Sequence, residues 1–390
     1  MLFSMNRIGW CYKEMDWKIP LFKMAWDETD IAAVNSVIRS GMNWAAGTVI
    51  AEFEKKIAAY VGTKYAVTLN SGTSALHAVL AAYGVGPGDE VIVPSFTFIA
   101  TANAPLFLGA KPVFADIEEE SFGLDARDVE RKITDRTRVI LPIHYGGLPC
   151  RMDGLMRVAR KHGLPLIDDA AEAMGAAINN QKVGSIGEAA ILSFCQNKVI
   201  TTGEGGAVVT NLPDVCQRLD LLRSHGRSEA SAYFTSTGPA DYITLGYNFR
   251  MSSITAALGL SQLNRIDKII ALRREKAGYL TAKLKGIPGL TVPSTPADSF
   301  NVYQMFPVRI SSGPSRRDML KNFLAEKGIM SRVYFEPVHL TQFYRRRFGY
   351  QGGELPVTEK IASEILNLPI YPDITLDDMD YIAAAIAAFS

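Results

Sequence analysis

The chain has 390 residues, with 41 lysines and arginines against 40 acidic residues and a formal net charge of +1 at pH 7. This length is sufficient for two or three domains with buried cores, and the balanced charge excludes a nucleic-acid-binding tail or an acidic arm. The four cysteines show no CxxC spacing and no run of about 18 apolar residues occurs, so we expect no disulfide framework, no bound metal, no membrane span and a cytoplasmic location.

Residues 1–18 fit neither a helix nor a strand pattern, and we expect an N-terminal arm there. From residue 60 to residue 211, short apolar runs alternate with longer segments of helical periodicity. The runs are YAVTLN, EVIVPSF, KPVFADI, RVILPIHY, LPLIDDA, AAILSF and GAVVTN. Several are apolar on successive residues, which is typical of strands covered on both faces. This alternation predicts an α/β fold with a largely parallel sheet.

Residues 252–285 predict one long helix, with Ser252 or Ser253 as its N-cap. Beyond it the segments become amphipathic, as in NVYQMFPVRI and SRRDMLKNFLAEKG, which indicates a smaller α+β unit. We therefore expect an arm over 1–18, a large domain over 19–265 and a small C-terminal domain over 266–390.

Polar residues follow several predicted strands at their carboxyl ends, where open α/β sheets bind ligands. After YAVTLN, the turn SGTS at 71–74 opens a helix, and its N–H groups and hydroxyls suit a phosphate, although a simple N-cap is the alternative. After LPLI come Asp168 and Asp169, of which at most one can face a ligand. A buried carboxylate there requires a cationic partner, unless both acids cap the next helix.

Lys198 lies in SFCQNKVITTGEGG, between a predicted strand and a glycine-rich turn. Glycine backbone around a lysine at the sheet edge leaves its amine poorly hydrated and available as a nucleophile, whereas the alternative is an exposed loop lysine. Phe98 follows another strand and could lie over a planar ring or belong to the core. A phosphate turn, a carboxylate, an aromatic ring and a lysine are together the parts that bind pyridoxal phosphate.

Ordered motifs from about residue 19 to the C-terminus carry a resemblance to a known family. They include NSGTSALH, GDEVIVPSFTFIAT, IDDAAEAMGA, SFCQNKVITTGEGG, GYNFRMSSITAALGLSQL and VYFEPVHLTQFY. The chain resembles the DegT/DnrJ/EryC1/StrS family of sugar aminotransferases, which have the aspartate-aminotransferase-like fold, fold type I of the enzymes that depend on pyridoxal phosphate. The resemblance implies a mostly parallel seven-stranded sheet in the large domain and a homodimer with shared active sites.

The resemblance also implies how the phosphate of the cofactor is bound. Gly72, Thr73 and Ser193 are expected to bind it within one chain. Asn248, in GYNFR, is expected to reach the phosphate across the dimer interface. Without the resemblance, Asn248 would be interpreted as a turn residue before the long helix.

For the cofactor ring, the resemblance implies that Phe98 stacks on the pyridine, Asp169 pairs with the ring nitrogen and Glu172 lies near the 3-hydroxyl. Lys198 is expected to form the Schiff base and then to move the proton during amino transfer. Members with histidine at this position are sugar 3-dehydratases, so Lys198 predicts a transaminase.

The substrate side of the site is expected in the C-terminal domain, where Tyr334 and His339 occupy the positions that line the sugar pocket in the family. Cys195 departs from the aromatic residue or histidine that the family often has there, which affects local substrate contacts. The basic run 345–347 is interpreted as a solvated surface or as a site for anionic substrate.

These features predict ping-pong transfer of an amino group from L-glutamate, through pyridoxamine phosphate, to a nucleotide-linked 4-keto-6-deoxy sugar. The string QNKVITTGEGG is similar to the subgroup of the family that makes GDP-perosamine and related 4-amino sugars. Three alternatives remain open: transfer to a keto-cyclitol, sugar dehydration, and a non-catalytic regulatory protein that binds pyridoxal phosphate. Neither the nucleotide nor the aminated carbon follows from the sequence, and glutamine could replace glutamate.

Overall fold

The computed structural model describes residues 17–228, 241–311 and 313–389, so residues 1–16 of the predicted arm lie outside the described part of the chain. The N-terminal part contains α1 (Glu28–Arg39), α2 (Thr48–Val61), β1 (Tyr65–Leu69), α3 (Gly72–Ala82), β2 (Glu90–Pro94), α4 (Ile99–Phe107), β3 (Lys111–Ala115), α5 (Ala126–Lys132), β4 (Thr137–Ile140), α6 (Met152–His162) and β5 (Ile167–Asp169). The middle contains β6 (Ala177–Ile178), β7 (Gln181–Lys182), β8 (Ala189–Ser193), β9 (Gly206–Thr210), α7 (Pro213–Arg223), α8 (Ser253–Leu263) and α9 (Ile266–Leu284). The C-terminal part contains β10 (Leu290–Thr291), β11 (Ser299–Phe300), β12 (Phe306–Ile310), α10 (Pro314–Glu326), α11 (Gln342–Phe348), α12 (Pro356–Glu364), β13 (Ile365–Leu368) and α13 (Leu376–Phe389).

Seven strands form the central sheet. One group has the order β1-β9-β8-β5 and the other has the order β3-β2-β4. Parallel bridges from Ile140 to Leu166 and from Ile143 to Asp169 join the two groups between β4 and β5. Only β9 runs antiparallel to its neighbours in this sheet. The predicted mostly parallel seven-stranded sheet is confirmed, and its carboxyl edge gathers the loops that follow β1, β2, β4, β5 and β8.

The helix predicted over 252–285 is in fact two helices, α8 and α9, which corrects the sequence interpretation. Ser252 is the N-cap of α8, as expected, and its Oγ accepts from the N–H of Thr255 at 3.2 Å. The break falls at Arg265, whose guanidinium forms ion pairs with Asp27 and Asp30 at the start of α1. This tertiary anchor turns the chain where the local pattern would continue the helix.

Apolar clusters divide the chain at α9. The first turns of α9 pack through Ile266 and Ile270 into the core beneath the central sheet, whereas Leu280 and Leu284 pack into a C-terminal core built on β12 and β13. Ile19 also belongs to the C-terminal core, and its strand segment pairs with Ile329. The domain limits at 19 and 265 stay a prediction. No described helix combines the length and apolarity that a bilayer crossing requires.

Candidate active site

A cleft of about 490 Å³ opens at the carboxyl edge of the central sheet. Its floor comes from the loops after β1, β2, β4, β5 and β8, and its opposite wall comes from the C-terminal part of the chain, including Met305, Arg332, Tyr334 and Phe335. The predicted site residues that line it are Gly72, Thr73, Phe98, Asp169, Glu172, Ser193, Lys198 and Tyr334. Residues far apart in sequence are thus brought to one cavity.

The turn after β1 has both a capping and a binding geometry. Ser71 is the N-cap of α3, and its Oγ accepts from the N–H of Ser74 at 3.0 Å. A Cβ at Gly72 would lie only 3.0 Å from the Cβ of Ser193, so glycine permits the helix start to approach the end of β8. The first-turn N–H groups of a helix lack intrahelical acceptors, and the close approach at Gly72 places this helix start in a corner beside the Ser193 hydroxyl. This corner suits a phosphate.

Of the two adjacent acids, Asp169 lines the cleft and Asp168 lies away from it. Asp169 Oδ2 accepts from the Thr101 hydroxyl at 2.7 Å, and Oδ1 accepts from the N–H of Ala171 at 3.2 Å. Burial raises the pKa of Asp169 above its ordinary range, so the charged form requires a cationic partner in the cleft. Asp168 is fully buried, and its Oδ2 lies 3.7 Å from Nε2 of His144. No helix begins within the following turn, so the capping alternative is wrong.

Lys198 is not an exposed loop lysine. Its Nζ lies 3.2 Å from Oε1 of Glu172, and the two side chains are only 13% and 11% exposed. The other Glu172 oxygen accepts from the N–H of Gly146 at 3.0 Å, which fixes the carboxylate beside the amine. The Glu172 carboxylate therefore holds the amine of Lys198 at the cleft, which both residues line.

Two phenylalanines after β2 have different environments. Phe96 is fully buried and packs against Tyr145, with ring centroids 4.9 Å apart. Phe98 is 59% exposed at the start of α4, and its ring centroid lies 6.3 Å from that of Phe335. Phe96 is thus a core residue, whereas the core alternative is wrong for Phe98, whose exposed ring lines the cleft.

His339 does not line the cleft, which corrects its predicted place in the sugar pocket. Its ring is fully buried, with Nδ1 2.6 Å from the Ser95 hydroxyl and Nε2 3.2 Å from Oε1 of Glu359. Burial lowers the pKa of His339. Because both ring nitrogens have protein partners, His339 ties this loop to β2 instead of contacting substrate.

Asn248 is exposed and lies outside the cleft lining of its own chain. Its backbone carbonyl accepts from Nδ2 of Asn70, next to the turn that opens α3. An exposed side chain here can contact a second subunit. The predicted role of Asn248 in binding phosphate across a dimer interface stays a prediction.

Sequence reasoning did not single out several residues that line the cleft: Thr97, Thr101, His144, Glu204 and Arg332. Cys195, noted as a departure from the family, also lines it, with Sγ 3.6 Å from Oε1 of Glu204. No helical spacing identifies Thr97 and Thr101 as a pair, because Thr97 lies just before Phe98, the N-cap of α4, whereas Thr101 lies in the first turn of that helix.

These residues fit pyridoxal phosphate. The corner at Gly72 and Ser193 suits its phosphate, and the buried Asp169 carboxylate requires a cation such as a protonated ring nitrogen. When bound, this cofactor supplies an aldehyde that condenses with amines and a ring that withdraws electrons. Lys198 provides the amine, and Phe98 provides an open aromatic face.

Comparison with known proteins agrees with the site. Residues 25–387 match the family model described as the DegT/DnrJ/EryC1/StrS aminotransferase family. The chain is 41% identical over 344 residues to the GDP-perosamine synthase of Caulobacter vibrioides, covering 88% of this chain and 90% of that one. It is 36% identical to the spore coat polysaccharide biosynthesis protein SpsC of Bacillus subtilis, covering 92% and 93% of the two chains.

Among solved structures, the chain is similar to DesV of S. venezuelae in complex with a ketimine intermediate. The TM-score is 0.88 at 35% sequence identity, and the alignment covers 95% of this chain and 98% of that one. The fold, the residues gathered in the cleft and the family match thus lead to one conclusion. The chain belongs to the DegT/DnrJ/EryC1/StrS aminotransferase family and is an enzyme that depends on pyridoxal phosphate.

Proposed function

We propose that this enzyme transfers an amino group from L-glutamate to the keto carbon of a nucleotide-linked 4-keto-6-deoxy sugar in a ping-pong reaction. The observation that carries the proposal is the buried amine of Lys198, held 3.2 Å from Glu172 in the cleft that Asp169 also lines. The similarity to the GDP-perosamine synthase of Caulobacter vibrioides supports a GDP-linked keto sugar as acceptor.

In this proposal the large domain holds the cofactor. Gly72, Thr73 and Ser193 bind the phosphate, aided by the partner subunit's Asn248. The helix start at α3 favours this arrangement, because its N–H groups and dipole stabilise negative charge. The close approach of Gly72 to Ser193 leaves no space for a larger residue between them.

The remaining residues of the large domain act on the ring and on protons. Asp169 holds the ring nitrogen protonated, Phe98 covers one ring face and Glu172 lies at the 3-hydroxyl. With the cofactor bound, Lys198 would supply the amine that reacts with its aldehyde, and as a free amine it would move the proton at the reacting carbon of the substrate. The Glu172 carboxylate, 3.2 Å from Nζ, holds this amine at the cleft.

The substrate wall contains Arg332 and Tyr334. Arg332 lies over the Tyr334 ring, 5.0 Å from its centroid. Among the described residues that line the cleft, one is a lysine, Lys198, and one is an arginine, Arg332. Lys198 already forms an ion pair with Glu172. His144 also lines the cleft, but its Nε2 lies 3.7 Å from the buried carboxylate of Asp168. We assign Arg332 to the carboxylate of the amino donor, since Lys198 and His144 are next to acids of their own and the remaining charged lining residues are acids that would repel it. Tyr334 contacts the sugar.

We also propose a homodimer with shared active sites. In the single subunit, several large apolar side chains near α1 and after residue 241 are exposed. They are Trp26, Met42, Trp44, Tyr242, Ile243 and Leu245. Such exposure is typical of a surface that another subunit covers.

The proposed location is the cytoplasm. The three described cysteines, Cys150, Cys195 and Cys216, are free thiols, which supports a reducing compartment of this kind.

The proposal is tested with the purified holoenzyme, L-glutamate and GDP-4-keto-6-deoxymannose. Formation of the 4-amino sugar and of 2-oxoglutarate is expected, with Lys198→Ala at least about a thousandfold slower because the nucleophile and proton carrier are lost. Lys161→Ala, which removes a surface lysine paired with Glu130, is the matched control. Turnover of a keto-cyclitol but of no nucleotide sugar would overturn the proposed acceptor, and equal rates with glutamine would overturn the donor.

A further inference from the structure

The hydroxyls of Thr97 and Thr101 form a hydrogen-bonded chain that ends at the Asp169 carboxylate. The Oγ1 atoms of Thr97 and Thr101 lie 2.7 Å apart, and Thr101 Oγ1 lies 2.7 Å from Asp169 Oδ2. Thr97, Thr101 and Asp169 are 2%, 1% and 7% exposed, so the chain of hydroxyls is enclosed in protein. All three residues line the cleft.

The hydrogen bonds in this chain have only one consistent direction. An ionised carboxylate can only accept, so Thr101 must donate its single hydroxyl proton to Asp169. The Thr101 oxygen is then left as the acceptor in the contact with Thr97, so Thr97 donates to Thr101. Two donors in series within a poorly hydrated wall polarise each other and strengthen the bond to the carboxylate.

The Thr101 hydroxyl contacts two side chains and no backbone group of its own helix. A threonine hydroxyl in a helix commonly bonds a backbone carbonyl of the preceding turn. The Thr101 hydroxyl in the first turn of α4 instead bonds a side chain 68 residues further along the sequence. The local helix does not require this contact, whereas Asp169 does, because burial opposes its charge.

We propose that Thr97 and Thr101 are positioning residues that keep Asp169 ionised and aimed at the ring nitrogen of the cofactor. The inference rests on the proposed role of Asp169 but not on the identity of the keto sugar. Three further groups act on the same carboxylate: the Ala171 N–H and the Lys198 charge favour ionisation, and Glu172 opposes it. The hydroxyl pair therefore supports a charge that burial and Glu172 disfavour.

The test compares Thr101→Val, which keeps the shape and removes the donor, with Thr101→Ser, which keeps the hydroxyl. Affinity for pyridoxal phosphate is measured by titration of the apoenzyme, and ring-nitrogen protonation is measured by NMR on the holoenzyme with 15N-labelled cofactor. Thr101→Val is expected to weaken binding about ten- to a hundredfold, as for a lost hydrogen bond to a charged group, and to shift the 15N resonance toward the unprotonated form. Thr101→Ser should retain both properties.

Thr97→Val removes only the outer hydroxyl and is expected to change both measurements in the same direction by a smaller factor. Thr210→Val is the control, since Thr210 is equally buried but bonds the backbone carbonyl of Glu188. Unchanged affinity and an unchanged resonance in Thr101→Val would overturn the inference, and Thr97→Val answers the same question if Thr101→Val does not fold. Asp169→Asn separates failure of the threonine proposal from failure of the proposed role of Asp169. If Asp169→Asn also leaves the 15N resonance unchanged, Asp169 does not protonate the ring nitrogen and its proposed role fails.

Discussion

Lys198 and Glu172 form an ion pair inside the cleft, with Nζ 3.2 Å from Oε1, and a backbone N–H holds the other carboxylate oxygen in place. The donor of that bond is Gly146, in the loop after β4, so three segments of the chain define the position of one amine. The pair holds the amine at the carboxyl edge of the sheet, where the proposed function needs it. If Lys198 carries the proton as proposed, Glu172 controls the position of that amine.

Replacing Glu172 tests this control. Glu172→Gln keeps an oxygen for the Gly146 N–H but removes the charge next to Lys198, so we expect kcat to fall about tenfold, as for a weakened hydrogen bond to a charged group. Glu172→Ala should be slower still, because it also leaves a backbone N–H without a partner. Steady-state kinetics and the absorbance spectrum of the holoenzyme provide the measurement.

The surface pair of Lys161 and Glu130 supplies the matched control, since its Nζ and Oε1 are also in direct contact but lie outside the cleft. Glu130→Gln should leave kcat unchanged. A Glu172→Gln enzyme with wild-type kcat and spectrum would show that the negative charge of Glu172 does not contribute to the function of Lys198.

Shared active sites predict complementation between two inactive variants. A Lys198→Ala dimer lacks the nucleophile, and an Asn248→Ala dimer lacks the proposed contact from the neighbouring subunit. In a randomly mixed population about half of the dimers are mixed, and each mixed dimer has one site with both residues intact. Mixing the two variants under conditions that exchange subunits should therefore restore about a quarter of wild-type activity.

Light scattering establishes the dimer, and native mass spectrometry with one variant isotopically labelled establishes the exchange, since a mixed dimer then has an intermediate mass. Persistence of the low activity of the parent variants, despite demonstrated exchange, would mean that Asn248 acts within its own chain or not at all.

Local signals in the sequence were sufficient for the sheet and for much of the cleft. Strands buried on both faces appear as continuous apolar runs, and the residues directly after them reach the carboxyl edge whatever the rest of the chain does. Gly72, Asp169 and Lys198 were accessible to prediction for that reason. Phe98 followed the same rule, and the structure places its ring at the cleft.

The residues that were misjudged depend on contacts distant in sequence. Arg265 interrupts a pattern that is helical throughout, because it pairs with acids near the start of the chain. His339 is buried against Ser95, a contact that no periodicity around residue 339 reveals. Arg332, which the sequence analysis missed, lies in a segment whose backbone pairs with Asn367, and no local pattern reveals that partner. Tertiary packing fixed each of these positions.

Arg332 is expected to separate the two halves of the reaction. Arg332→Gln should raise the KM for glutamate about tenfold or more, because a charge-assisted bond to the donor carboxylate is lost, with a smaller change in the KM for the keto sugar. Arg332→Lys should recover part of the affinity but not the planar two-point geometry. Single-turnover measurements of each half-reaction, followed by absorbance, give the two constants separately.

Arg316 is a suitable control, since its guanidinium also lies over an aromatic ring, 5.0 Å from the centroid of Phe389, but away from the cleft. Arg316→Gln should leave both half-reactions unchanged. An equal loss in both halves for Arg332→Gln would assign Arg332 to a general electrostatic role, and a loss confined to the sugar half would assign it to the nucleotide phosphates.

His339 should make the stability of the fold depend on pH. Burial holds the pKa of His339 below its ordinary value of about 6.5, so the unfolded chain binds a proton more readily than the folded chain. The free energy of unfolding is therefore expected to decrease as the pH falls below about 6.5, until the folded histidine also becomes protonated. Urea unfolding at a series of pH values from 8 to about 5 measures this slope.

Two other histidines must be separated from this effect. The pKa of His77 is also lowered by burial, so it contributes a slope of the same sign, whereas the pKa of His144 is raised and its contribution is constant below about 6.5. His339→Gln should reduce the slope and His77→Gln should remove a separate part of it. If His339→Gln lowers stability by the same amount at every pH, the ring contributes through packing and hydrogen bonds alone, and its protonation is not linked to folding.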